Sequence, residues 1–169
     1  HKSLGNGLLR VPVAVLAIPP QVGLAAVLAQ GPFVLGYKFT LSDEEHPRSE
    51  PLLHPINVVT AGPTNVLQGT DFLFQAHDVV GNLKIFSAAA PASGFFNVAH
   101  DSDGILRRAP LLMVYHGKFY PSLPLATLMQ TLGTDQVTLT LTRAGVDSLH
   151  LGRTRIPLDA RGNLLIHYR

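Results

Sequence analysis

Cysteine is absent from the chain, which excludes disulfides, thiolate metal sites and thiol nucleophiles together. The compartment stays open, because proteins outside the cytoplasm use disulfides without requiring them. Charge is scarce: Asp, Glu, Lys and Arg make up 14% of 169 residues, against roughly 25% in ordinary soluble proteins. The formal net charge is only +2, and the basic residues gather only as Arg107 with Arg108 and Arg153 with Arg155. A phosphate-binding surface needs a denser cluster, so nucleic acid is not an expected partner. The glycines miss the Gly-x-Gly-x-x-Gly and Walker spacings, and no serine lies in a Gly-x-Ser-x-Gly turn, so neither a nucleotide cradle nor hydrolase chemistry has support. An unbroken spanning segment is missing too. Val11 to Ala29 approaches the roughly 20 residues a membrane helix needs, but Pro12, Pro19 and Pro20 interrupt it and would strand carbonyls in lipid.

Hydrophobic residues are plentiful at 46%, enough for the core of one domain over residues 1–169. With so few charges to cover it, part of the surface is expected to pack against more protein. The opening His1-Lys2-Ser3 has no initiator Met and no signal layout, so the chain reads as a fragment of a larger one.

Turn residues divide the chain into a mixed α/β pattern. Arg10 to Ile18 reads as a buried strand, and Gln21 to Gln30 as a helix with no polar face, hence buried on most sides. After Gly31-Pro32 a strand is expected over Phe33 to Phe39, making a strand-helix-strand crossover of a parallel or mixed sheet. Leu41 to Pro55 is polar and proline-rich, a long surface loop, followed by a short strand from Ile56 to Thr60. Residues 62–81 give no clear pattern, and Leu83 to Ala90 reads as a short helix. Gly94 to Ala99 and Leu106 to His116 are expected as strands of a hairpin around Asp101-Ser102-Asp103-Gly104. Ser122 is placed to cap a helix ending before Gly133, with Leu125, Leu128, Met129 and Leu132 as its packing stripe. Val137 to Thr142 alternates strictly, and strands near Val146 to Leu151, Arg153 to Ile156 and Leu164 to His167 continue a C-terminal antiparallel meander. The expected fold is thus mixed α+β: a central sheet, two main helices and that meander.

The polar candidates are few. The eight histidines show no two- or four-residue metal spacing, so no metal or cofactor is expected. Ser93 or Ser102 could join His77-Asp78 or His100-Asp101 in a Ser-His-Asp arrangement, but neither serine sits in a nucleophile turn. Asp101 and Asp103 stand two apart in a turn, yet a calcium loop aligned on Gly104 would put Ala99 and Pro110 at ligand positions. Their chemistry fits bonds to turn amides or to Arg107 and Arg108, and Asn97 fits local bonding of the same kind. Arg107 and Arg108, as strand neighbours, point to opposite faces, so only one can face a pocket, and an exposed or intradomain pair competes with an anion there.

Three stretches together carry a family likeness. Gly94-Phe95-Phe96-Asn97-Val98-Ala99-His100-Asp101-Ser102-Asp103-Gly104-Ile105-Leu106-Arg107-Arg108-Ala109-Pro110-Leu111 resembles the Gly, Asn, Asp-x-Asp-Gly, Arg-Arg, Pro-Leu signature of the second CHASE family of extracytoplasmic sensor domains. Gly117 to Ala126 resembles that family's hairpin turn and Pro-Ser-Leu helix start, and Ile156 to Arg169 its closing Pro-x-Asp-x-x-Gly segment ending in Tyr-Arg. Gly31 to Thr40 is similar to its apolar strand. The resemblance implies a signal-input domain outside the cell membrane, not an enzyme, joined through flanking membrane helices to an intracellular cyclase, histidine kinase, diguanylate cyclase or Ser/Thr kinase. It implies a small-molecule ligand of unknown identity, with Asn97, Asp101, Asp103, Arg107 and Arg108 as the candidate ligand-binding residues. The rival reading is a structural dimerisation domain, in which a homodimer positions the receptor's cytoplasmic halves.

Overall fold

The computed structural model describes residues 19–42, 51–63, 69–98 and 103–168. The strand expected over Arg10 to Ile18 and part of the loop from Leu41 to Pro55 lie outside them. The described chain is mixed α+β, as expected, with its strands shared among four small sheets.

Helix α1 (Pro20–Leu28) starts on Pro20, whose missing amide costs nothing in a first turn. Only its Leu28 is buried, which corrects the expectation of burial on most sides: Val22, Leu24 and Val27 are exposed. Among described elements it packs on α2 (Lys84–Ala89), leaving its other faces uncovered.

Strand β1 (Val34–Thr40) is central to the first sheet. Its first half pairs in parallel with β5 (Ala92–Phe95) and its second half antiparallel with β4 (Asp78–Val80). The second sheet runs β11 (Thr154–Pro157), β10 (Gly145–Leu151), β9 (Gln136–Thr142), β2 (Asn57–Ala61). Its first three strands are the expected antiparallel meander, and β2 adds to β9 in parallel. Strict alternation in β9 buries Val137, Leu139 and Leu141, as the pattern requires.

The hairpin expected around Asp101-Ser102-Asp103-Gly104 is corrected. β5 ends at Phe95 and pairs with β1, while residues 106–116 divide into β6 (Arg108–Pro110) and β7 (Leu112–Tyr115), which belong to different sheets. Pro110 accounts for the division, since it has no amide to continue a ladder. β6 pairs with β12 (Asn163–Leu165), so the last expected strand leaves the meander. β7 pairs with β8 (Lys118–Pro121) across His116-Gly117, both at positive φ as a tight hairpin needs, and with β3 (Phe74–Gln75) on its other side. The ambiguous stretch 62–81 thus holds β3, β4 and a 3-10 turn at Gly69–Phe72 among its described residues.

β7 is the wall between two cores. Leu112 and Val114 face a cluster with Leu125, Met129, Leu139 and Leu149, while Met113 faces an aromatic cluster of Tyr37, Phe39, Phe95 and Tyr120. Phe39 is the hub of the second, with ring centroids 5.1 to 5.9 Å from Tyr37, Tyr120, Tyr115 and Phe95.

Helix α3 (Leu123–Leu132) ends at Gly133 in the left-handed region, as its sequence requires. Its stripe is corrected: Leu125, Ala126 and Met129 are buried, while Leu128 and Leu132 are exposed, because the helix meets the core through a narrower face. Ser122 occupies the cap position without making the cap bond, and its buried Oγ has no partner among the described residues. Removing that hydroxyl therefore removes a desolvation cost. Ser122→Ala is expected to leave the melting temperature unchanged or higher, where loss of a working cap would cost about 1 kcal/mol. Thermal unfolding followed by circular dichroism distinguishes the two.

Candidate functional site

The three likeness-bearing stretches meet in space. Gly94 lies so close to the start of α3 that a Cβ there would come 2.6 Å from the Leu123 Cα. The Ser122 amide donates to the Leu111 carbonyl at 2.8 Å, the Leu111 amide to the Gly162 carbonyl at 3.2 Å, and the Tyr168 hydroxyl to the Leu106 carbonyl at 2.5 Å. These motifs tie residues 94–123 to the C-terminal segment.

The expected site residues take part in the same joinery. The Asn97 carboxamide accepts from the Phe39 amide and donates to the Phe39 carbonyl, both at 2.7 Å, continuing the β1–β5 ladder beyond Phe96. The bonding is long-range, not local as its sequence neighbours suggest. Asp103 holds Arg107 through two parallel bonds of 2.9 and 2.7 Å and accepts the Ile105 amide. That guanidinium, followed by the amide, keeps the Asp103 carboxyl below its ordinary range. Arg108 stands 3.9 Å from Asp159. Burial alone would raise the Asp159 carboxyl, but bonds from Asn163 and Arg161 hold it low, and those bonds form the closing turn. Asp101 lies outside the described residues.

A cleft of about 120 Å³ lies elsewhere, between the 54–56 segment, the start of β5 and one face of α3. The segment is fixed at its C-terminal end: the Ile56 amide donates to Phe119 of β8, and the Asn57 amide to the Asp135 carbonyl beyond α3, each at 3.0 Å. Pro91, Pro121, Ala126 and Met129 give the cleft apolar walls, and Gln130, Thr134 and Asp135 line it as well.

At the β5 side His54 and Ser93 converge. His54 Nδ1 is 2.9 Å from Ser93 Oγ, which also accepts the His54 backbone amide at 3.3 Å. Ser93 is only 4% exposed, so its hydroxyl proton must find an acceptor. Donation to Nδ1 satisfies it, and that bonding assigns a neutral ring with its proton on Nε2. Partial burial also lowers the His54 pKa, because it penalises the imidazolium. Sequence reasoning placed Ser93 with His77 or His100. The structure gives it His54, 39 positions away, while His77 adjoins β4 on the opposite side of β1, and His100 with Ser102 lies outside the described residues. No spacing or motif links positions 54 and 93, so the pairing was invisible before folding.

The lowered His54 pKa carries a pH signature. Above the unfolded imidazole pKa both states are neutral and the fold has its full stability. As pH falls through about 6.5, the unfolded state takes a proton that the folded state resists, so stability is lost until the folded pKa is passed. His54→Gln is expected to flatten this part of the melting-temperature profile between about pH 7.5 and 5. An unchanged profile would show that His54 titrates alike in both states.

Among the described residues no group of three or more His, Cys, Asp or Glu could hold a metal ion, and no helix is long and apolar enough to cross a membrane. No curated protein and no solved structure matches the chain. The family model described as the CHASE2 domain matches residues 15–169, so the chain belongs to the CHASE2 family of extracytoplasmic sensory domains of receptors.

Proposed function

We propose that this chain is the ligand-sensing part of a membrane receptor and that the cleft at His54 and Ser93 is where it senses. The observation that carries this is the meeting of a hydrogen-bonded pair, the half-buried His54 and the buried Ser93, with apolar walls in one concavity, the arrangement expected of a small-molecule site. Asn97, Asp103, Arg107 and Arg108 are occupied with the fold's own backbone and carboxylates, so we read them as framework. Ser93 is read as a binding and orienting group: its hydroxyl is buried, and among the described residues no carboxylate bonds the His54 ring. A ligand that binds one arrangement of α3 against β5 more tightly than another would shift that equilibrium, and flanking membrane helices would carry the shift to a cytoplasmic cyclase, histidine kinase, diguanylate cyclase or Ser/Thr kinase. The test is Ala126→Leu, which fills the cleft, in the full-length receptor. Output that no longer changes with growth medium, at normal receptor abundance, supports the proposal. Wild-type variation of output sinks it.

A second reading rests on a different surface. Val22, Leu24 and Val27 of α1 and Leu83 and Ile85 beside and within α2 are exposed together on two helices that pack on each other. In this reading the domain is a homodimeric scaffold with no small ligand. Leu24→Arg with Val27→Arg is expected to leave the sedimentation coefficient unchanged if the sensor reading holds alone, and to convert a dimer to monomers if the scaffold reading holds.

A further inference from the structure

The cleft's dimensions and lining restrict what it can hold, and this inference rests on the reading of that cleft as the sensing site. Its volume of about 120 Å³ is close to the roughly 150 Å³ of an engineered cavity that takes benzene. A body of about six non-hydrogen atoms fills that space. Ile56, Pro91, Pro121, Ala126 and Met129 surround that body with carbon.

Charge narrows the class further. Among the described residues neither Lys nor Arg lines the cleft, and Asp135 is the one carboxylate there. An anion would meet no counter-charge and would be repelled by Asp135, while losing its hydration against apolar walls. A cation would meet the opposite obstacle at the β5 side, where the neutral His54 ring presents an N–H. With Nδ1 bonded to Ser93, Nε2–H is the ring's remaining donor, and nothing among the described residues accepts it. An acceptor on a ligand would take the place of water there.

We propose that the cleft takes a small uncharged organic molecule with a compact apolar body and a single hydrogen-bond acceptor, a carbonyl or ether oxygen, received by His54 Nε2–H. Cyclopentanone is the probe for this class, with cyclobutanecarboxylate and cyclopentylammonium as charged counterparts of similar size. Each is titrated into the ¹⁵N-labelled protein and read from the backbone amides of His54, Ser93 and Gln130. Cyclopentanone is expected to shift these amides saturably with a dissociation constant on the order of millimolar, as so few atoms allow, and each ion to bind about tenfold more weakly or not at all. His54→Phe should weaken cyclopentanone about fivefold, the ratio one neutral hydrogen bond sustains. Ala126→Leu should abolish binding, and Ala92→Leu, at the half-buried edge, does the same job should the first variant lose its folded spectrum.

The outcomes separate the ligand class from the sensing site. Cyclobutanecarboxylate binding as tightly as cyclopentanone overturns the class, as does silence of all three amides with cyclopentanone in a receptor whose output is still fixed by Ala92→Leu; in both cases the cleft survives as the sensing site. Saturable, His54-dependent cyclopentanone binding upholds the class even where Ala92→Leu leaves receptor output at wild type, a result that removes the sensing role instead.

Discussion

Gly94→Ala is expected to lower the melting temperature by about 10 °C. A Cβ at Gly94 would stand 2.6 Å from the Leu123 Cα, 2.7 Å from its amide nitrogen and 2.8 Å from the Ser122 carbonyl carbon. These are backbone atoms, so no side chain can rotate away and α3 as a whole must lift from β5. Overpacking of this kind costs typically about 1–3 kcal/mol, and the absence of a flexible neighbour puts this site at the upper end. For a domain of this size about 3 kcal/mol corresponds to roughly 6–12 °C. Gly117→Ala is the control. That glycine, unlike Gly94, has positive φ, but its Cβ would meet nothing within 4 Å, so it carries the conformational cost alone, about 1 kcal/mol. Equal losses from the two variants would mean that the close approach of α3 to β5 is not what matters. The same lift would separate Ala126 and Met129 from Ala92 and Ser93, which face one another across the cleft. Gly94→Ala should therefore weaken cyclopentanone binding as well as stability, whereas Gly117→Ala should spare it.

That coupling explains why parts of this fold were readable from sequence and others were not. Strict alternation located β9, and Gly117 marked the β7–β8 turn, because a period or a tight turn is written in adjacent residues. The partner of a strand is not so written. Asp103-Gly104 carries a turn signal, and Gly104 does adopt positive φ, yet the flanking strands turn to β1 and β12, since Pro110 stops one ladder and Gly36 faces Gly94 in another. The site was less legible still. The conspicuous residues, Asn97, Asp103, Arg107 and Arg108, are conspicuous because several bonded neighbours fix their spacing. His54 sits in a proline-flanked stretch that reads as loop, and Ser93 precedes the family signature by one residue. Only the parallel register of β5 beside β1, together with the anchoring of Ile56 and Asn57, brings them together.

Asn97 is where the framework and ligand readings of the signature make opposite forecasts. Phe39 is 1% exposed, and its amide and carbonyl both point toward the Asn97 carboxamide. Asn97→Ala leaves both groups unpaired beside the aromatic core, at about 1–3 kcal/mol each, and some water entry at this half-buried position should hold the total near 3 kcal/mol. Asn97→Asp sharpens the test. One introduced oxygen can still accept the Phe39 amide, but the other faces the Phe39 carbonyl at the position of a 2.7 Å bond, where an ionised carboxylate repels and a protonated one donates. The folded state therefore raises that carboxyl's pKa above its unfolded value of about 3.9. For an acid shifted upward, stability relative to wild type is best below the unfolded pKa and is lost as pH rises through the folded one. Urea unfolding of both proteins from about pH 3.5 to 7 should show the gap between them widening with pH. A ligand-contacting Asn97 predicts the contrary: unfolding curves that coincide at every pH, with the loss confined to signal response. The carboxamide thus closes the seam between β1 and β5, the pair on which α3 and one wall of the cleft are mounted, and a loosened seam should reach the cleft through Ser93 before it reaches any other part of the molecule.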